Sequence, residues 1–280
     1  MINYVKFQLK ILHHRMFTLK TAILLGALWI TEDMMLRQIV ALGKETGEKI
    51  IPAAYVFLQS SSGFLLIFFL EIMVFYIGVP FTTNDQLYVF LRSGKSKWYL
   101  NQVVYIVVSS LMILVTAFLF CVIRLMPILK FSWSWDRILG TLALTDAGQQ
   151  FGIVVQVPYK ILNRYEPAEA VIYSVLIGWG VICLIGMLMF SISLVWNRRV
   201  VIIIMTVMIL LFGIQRYYPA WVRYLVPLSW VQITELGVRY SEFAPTQKYV
   251  CTMLPIFLCC TLGIGFWWTR KRDFEWIEEE

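Results

Sequence analysis

Gly94-Lys95-Ser96 has the ending of a phosphate-binding loop. That motif needs a first glycine five residues earlier, so that backbone amides can wrap a phosphate. Position 89 is Val89, and no strand-like run precedes it. A nucleotide site in this chain is therefore not expected, and an ATPase would have to be a separate protein. His13 and His14 are the only histidines. Adjacent residues on a helix point about 100° apart, which makes a poor metal site. No serine within an apolar run has a histidine or lysine at a spacing suited to nucleophilic catalysis, and no carboxylate pair with metal-ligand spacing falls within an apolar run. The residue types predict no catalytic residues, no metal and no enzyme activity of the chain's own.

Glu71 is a different case. It sits between Leu70 and Ile72 inside a long apolar run, and an ionisable group in hydrocarbon is a functional candidate by default. The bland reading, of equal weight, is a carboxylate near the inner end of the span, paired with a basic group of a neighbouring helix or reaching the interface. An ion-driven relay would place several such groups in facing spans. The later spans offer none at mid-depth, which disfavours a secondary carrier.

The elements holding these residues are membrane elements. Of the 280 residues 60% are hydrophobic and 15% charged, with mean hydropathy +0.74, far from a soluble domain. A spanning helix takes about 20 apolar residues, so the chain has room for six and no soluble domain. The expected spans are 17–36, 52–79, 103–123, 170–196, 200–214 and 249–268 of a single domain, 1–280, in an all-α integral membrane protein. Residues 1–16 repeat Ile2, Val5, Leu9, Leu12 and Met16 at steps of three and four beside Lys6 and Lys10, the pattern of an amphipathic helix on a membrane surface. A signal peptide is the weaker reading, because Thr31, Glu32 and Asp33 follow the apolar stretch without a small-x-small cleavage pattern. Cys121, Cys183, Cys251, Cys259 and Cys260 lie in or beside apolar runs and read as small buried hydrophobes.

Between the second and third spans lies a polar island, 84–102, with Arg92, Lys95 and Lys97 around a turn at Ser93-Gly94 and Trp98 at the re-entry point. Leu87, Phe90 and Leu91 recur at helical steps, which predicts a short helix along the membrane face that docks on a soluble partner. Residues 124–168 read as one or two helices lying at the outer surface. Residues 215–248 hold Tyr217, Tyr218, Trp221, Tyr224 and Trp230 among three prolines, a composition suited to a re-entrant or interfacial hairpin with Tyr217, Tyr218, Trp221 and Trp230 as anchors.

The net charge is +7. Lipid headgroups explain it better than nucleic acid, because the basic residues cluster at span ends. Twelve of the 24 Lys and Arg fall in the termini, the island and the turn 197–199, packed into 54 residues, against twelve spread over 93 in the other loops. The density predicts cytoplasmic termini.

In four places, taken in order, the chain resembles a permease subunit of the type-2 ABC exporter family, in the branch common in Gram-positive bacteria. They are the basic helix before span 1, LRSGKSKWYLNQ entering span 3, YEPAEAVIYSVLIGWGVICLIGMLMFSISLVW as span 4, and YLVPLSWVQI before span 6. The resemblance implies a dimer of identical or related permeases in the plasma membrane above two ATPase subunits, with ATP and Mg held by the ATPase and no cofactor in this chain. It implies that 84–97 is the coupling helix, with Leu87, Phe90, Leu91, Arg92, Lys95 and Lys97 at the ATPase, that 1–16 is the connecting helix, and that 215–248 is the re-entrant outer hairpin. The outer segment 124–168 is longer than in the family's polysaccharide and drug exporters, which leaves the cargo open among an antimicrobial peptide, a lipid-linked molecule and a drug. A non-transporting scaffold or sensor-associated protein, and a channel or secondary carrier, are the alternatives.

Overall fold

The computed structural model describes residues 18–78, 84–215, 217–237 and 244–271, with only the backbone at 84–93 and at 220. The expected amphipathic helix at 1–16, with His13 and His14, lies outside the described residues. Those described form helices α1 (Leu19–Thr46), α2 (Tyr55–Ser60), α3 (Ser62–Tyr76), α4 (Asn84–Leu125), α5 (Arg137–Leu144), α6 (Ala147–Gln150), α7 (Tyr159–Arg164), α8 (Pro167–Ser193), α9 (Arg198–Gly213) and α10 (Gln247–Lys271). Short 3₁₀ turns join several of them, and one isolated bridge, Ile50 with Leu129, is the only β pairing among the described residues.

Three helical segments are long and apolar enough to cross a membrane: Gly94–Ile128, Pro167–Ser193 and Gln247–Lys271. The expected span 52–79 is not one helix. It breaks at Ser61, where Pro52–Ser60 and Ser62–Tyr76 meet at 83°, and the two together make at most a fourth crossing. The expected span 17–36 runs on to Thr46 through Asp33, Arg37 and Lys44, so it has the length of a span but too many charges. In place of span 200–214, α9 has 16 residues, about 24 Å at 1.5 Å per residue and short of a typical hydrocarbon core. Three short helices, rather than one or two, occupy residues 124–168.

The bundle is built around α8. In its most apolar stretch 61% of residues are buried, against 33% for the α4 span and 22% for α10. Close approach explains this. A Cβ at Gly178 would run into the Gln59 amide, and one at Gly186 would lie 2.6 Å from Ile106. Polar side chains then fasten helix to helix. Ser174 Oγ donates to Gln59 Oε1 and Gln59 Nε2 donates to the Ser174 carbonyl. The Tyr76 hydroxyl lies 2.9 Å from both Ser109 and Ser110, and Trp179 Nε1 donates to Val107 O at 3.1 Å.

At the far end from the island, Asp136 ties α1, α2 and α5 together. Its carboxylate accepts from the amides of Leu139 (2.8 Å) and Ile51 (3.0 Å). Burial raises this carboxyl above the ordinary range, while those two amides and the Lys130 charge pull it back.

Gly178→Ala is expected to lower the melting temperature of the purified protein, at a cost of about 1–3 kcal/mol from overpacking, because Gln59 is held by Ser174 and cannot swing away freely. Gly26→Ala, where nothing lies within 4 Å, should cause no loss. Equal behaviour of the two variants in a thermal melt would contradict the α8 packing.

Candidate functional site

The island is helical from Asn84 and continuous with the span that follows, except at Gly94, whose φ of 78° and ψ of 164° are non-helical. That backbone region is essentially open only to glycine. The sequence placed its turn here, and the joint is this one residue. Leu87, Phe90, Leu91 and Arg92 have their side chains outside the described residues. Beyond the joint Lys97 is exposed and Lys95 half-buried.

What the sequence did not reveal is how firmly the far side of the joint is held. Trp98, read as an interfacial re-entry residue, is buried against Phe190 of α8, with ring centroids 5.9 Å apart. Tyr99 stacks on the same ring at 5.3 Å. Its hydroxyl donates to the Leu262 carbonyl of α10 at 2.9 Å. The arm 84–93 thus projects from a root fixed to two other helices.

Glu71 lies half-buried on α3, beside Thr31 of α1. It lines a small groove with Leu24, Leu28, Phe68, Phe75 and Ile113. No basic side chain pairs with it among the described residues, so of the two forms of the bland reading the ion pair is not what holds it. Its electrostatic neighbour is Glu32, which is 1% exposed with neither oxygen hydrogen-bonded. In sequence, Glu32 read as a span flank beside Asp33. Asp33 does find a cation, Arg124 of α4, at 2.5 Å. The sequence could have separated the two only by the 100° between their faces.

The segment 215–237 folds into two 3₁₀ turns, Ala220–Tyr224 and Pro227–Val231. Tyr217 is 90% exposed and Trp221 53%, and Tyr218 is half-buried. Trp230 differs from these three. It has no exposed surface, its Nε1 donates to the Arg223 carbonyl at 2.9 Å, and its ring packs on Tyr249 and Phe257 of α10. Its place is the core. Gln215 Nε2 donates to Gln232 at 2.7 Å, and Gln232 donates to the Ser60 carbonyl at 2.9 Å. The segment is in this way fastened to the break between α2 and α3, above a polar cavity.

Comparison with protein-family models, with curated proteins and with solved structures returned no match.

Trp230→Ala should destabilise the protein by about 3–5 kcal/mol, as emptying a buried indole site does. Trp221→Ala should leave the melting temperature within a degree or two. A silent Trp230→Ala would show that the segment is only a tether.

Proposed function

We propose that this chain is the membrane-spanning permease subunit of an ATP-driven exporter, working as a dimer with a separate ATPase that binds beneath the arm 84–97. The observation that carries the reading is the arm itself. It is a short helix that leads into a spanning helix across a kink at the single residue Gly94, and the root of that span is bound to α8 and α10 through Trp98 and Tyr99. ATP hydrolysis drives a membrane pathway only if a rigid element carries motion from the soluble motor. An arm with one joint and a fixed root meets that requirement. The sequence pattern supplies Leu87, Phe90 and Leu91 as contact area and Arg92, Lys95 and Lys97 as charges that set orientation more than affinity. ATP and Mg belong to the partner ATPase, and this chain contributes neither catalysis nor a metal site. In this reading the protein sits in the bacterial plasma membrane with both termini cytoplasmic, in contact with a second permease copy or a related chain and with lipid, and nucleic acid has no role. A scaffold would need the docking arm but not the fixed root.

Two experiments test the proposal. Replacing Phe90 and Leu91 together by aspartate should detach the co-purifying ATPase or leave its hydrolysis unresponsive to substrate, while the permease still inserts and dimerises. Gly94→Ala meets no neighbouring atom within 4 Å, so its effect acts through the backbone alone, at about 1–3 kcal/mol of strain. It should reduce transport with ATPase still bound. Full substrate-stimulated hydrolysis and transport in both variants would remove the coupling role. For topology, cysteines are placed at Lys97 and Lys44, near opposite ends of the α4 span, in a cysteine-free background. Lys97→Cys should resist a membrane-impermeant thiol reagent in intact cells and Lys44→Cys should react. The reverse labelling would invert the orientation.

A further inference from the structure

The break between α2 and α3 leaves a helix N-terminus whose first residues, Ser62 and Gly63, are half-buried and exposed, next to the buried Ser60. Ser61 is the N-cap, with φ −70° and ψ 121°, yet its side chain caps nothing, although serine is a preferred capping residue. The first bond of α3 runs from the Leu65 amide to the Ser61 carbonyl at 2.9 Å. The amides of Ser62, Gly63 and Phe64 are the unsatisfied donors of the first turn, and no acceptor among the described residues takes them.

This helix end opens into a cavity of about 240 Å³ whose walls include Ser60, Ser62, Gly63, Gln156, Arg223 and Glu235. Two further donors there are unmatched. Ser60 is 7% exposed, and its hydroxyl is buried without a hydrogen-bond partner, although its carbonyl is used by Gln232. Arg223 gives one terminal nitrogen to Glu235 at 3.0 Å, while its Nε is buried without a partner. Buried polar groups are nearly always matched, so unmatched donors contributed by three separate elements mark a place for an acceptor.

We infer that this cavity binds the singly charged oxyanion of a phosphodiester. The partial positive charge and free amides of a helix N-terminus favour an anion, and a broken helix in a membrane bundle presents its half-helix end to anionic groups in this way. Glu235, half-exposed and paired with Arg223, offsets much of the Arg223 charge, so the cavity suits one negative charge better than two. Donors from the α3 end, the Ser60 hydroxyl and the Arg223 guanidinium suit a tetrahedral group that accepts on several sides better than a planar carboxylate. The anion could come from a lipid headgroup or from a solute. The site stands on this geometry alone and is independent of the exporter reading, whose arm lies at the other end of α4.

The test uses the full chain purified in dodecyl maltoside, a detergent without phosphate. Titration calorimetry with dimethyl phosphate at constant ionic strength measures binding of a soluble phosphodiester, and native mass spectrometry with added phosphatidylglycerol measures retention of a lipid one. Ser62→Pro removes one amide at a position where proline is favoured in a helix and where the preceding residue is already extended. It should weaken binding about tenfold, as loss of a charge-assisted hydrogen bond does. Ser60→Ala should weaken it several-fold, and Arg137→Gln, on a different surface, should leave it unchanged. Binding of dimethyl phosphate assigns the site to a solute, and retention of phosphatidylglycerol alone assigns it to lipid. The inference is overturned if the wild type holds neither. It is equally overturned if folded Ser62→Pro and Ser60→Ala bind as the wild type does; should Ser62→Pro not fold, Ser60→Ala decides alone.

Discussion

Backbone and side-chain polar groups freed by the break at Ser61 have to find partners, and much of the bundle is arranged around that constraint. The Ser60 carbonyl is taken by Gln232, which Gln215 holds in place. One residue earlier, Gln59 reaches across to α8 and closes a two-way pair with Ser174. That pair needs α8 to come close, and Gly178 one turn away leaves the room. The central position of α8 and the fastening of the segment 215–237 onto α2 follow from the same break.

The charges on α1 show a second consequence of burial. Asp33 points to Arg124 and is paired, whereas Glu32, one residue earlier, faces inward toward Glu71 and is not. A buried carboxylate without a partner, facing a second carboxylate on a neighbouring helix, is costly to keep. Their retention places a chemical constraint on α1 and α3 that packing alone would not impose.

Several parts of this arrangement were legible in the sequence. The long apolar runs of α4, α8 and α10 carry their own signal, and the Ser93-Gly94 pair marked the joint because few residues other than glycine tolerate its backbone. The break in the second run was also written there, as Gln59 followed by three serines and Gly63, but the hydropathy of the flanks, Tyr55–Leu58 and Phe64–Leu70, outweighs it in any window long enough to define a span. Other features had no local signal. Trp230 and Trp221 share a proline-rich, aromatic segment, and only the fold of α10 beneath them decides that one is enclosed and the other is not. Trp98 likewise has the sequence context of an interfacial residue, and its burial depends on Phe190, far away in the chain. The burial of Glu32 rests on the rotation of α1 about its axis, which neighbouring helices set.

The joint at Gly94 has a mechanical consequence. The arm from Asn84 to Ser93 is a helix of ten residues, about 15 Å long at the usual rise. Turning it by about 20° through the two torsions of Gly94 moves its Asn84 end by roughly 5 Å, a little under one helical turn. The stacked rings of Tyr99 and Phe190 resist the same rotation in the span. Rotation is thereby taken up at Gly94, while the span beyond it stays held against α8 and α10.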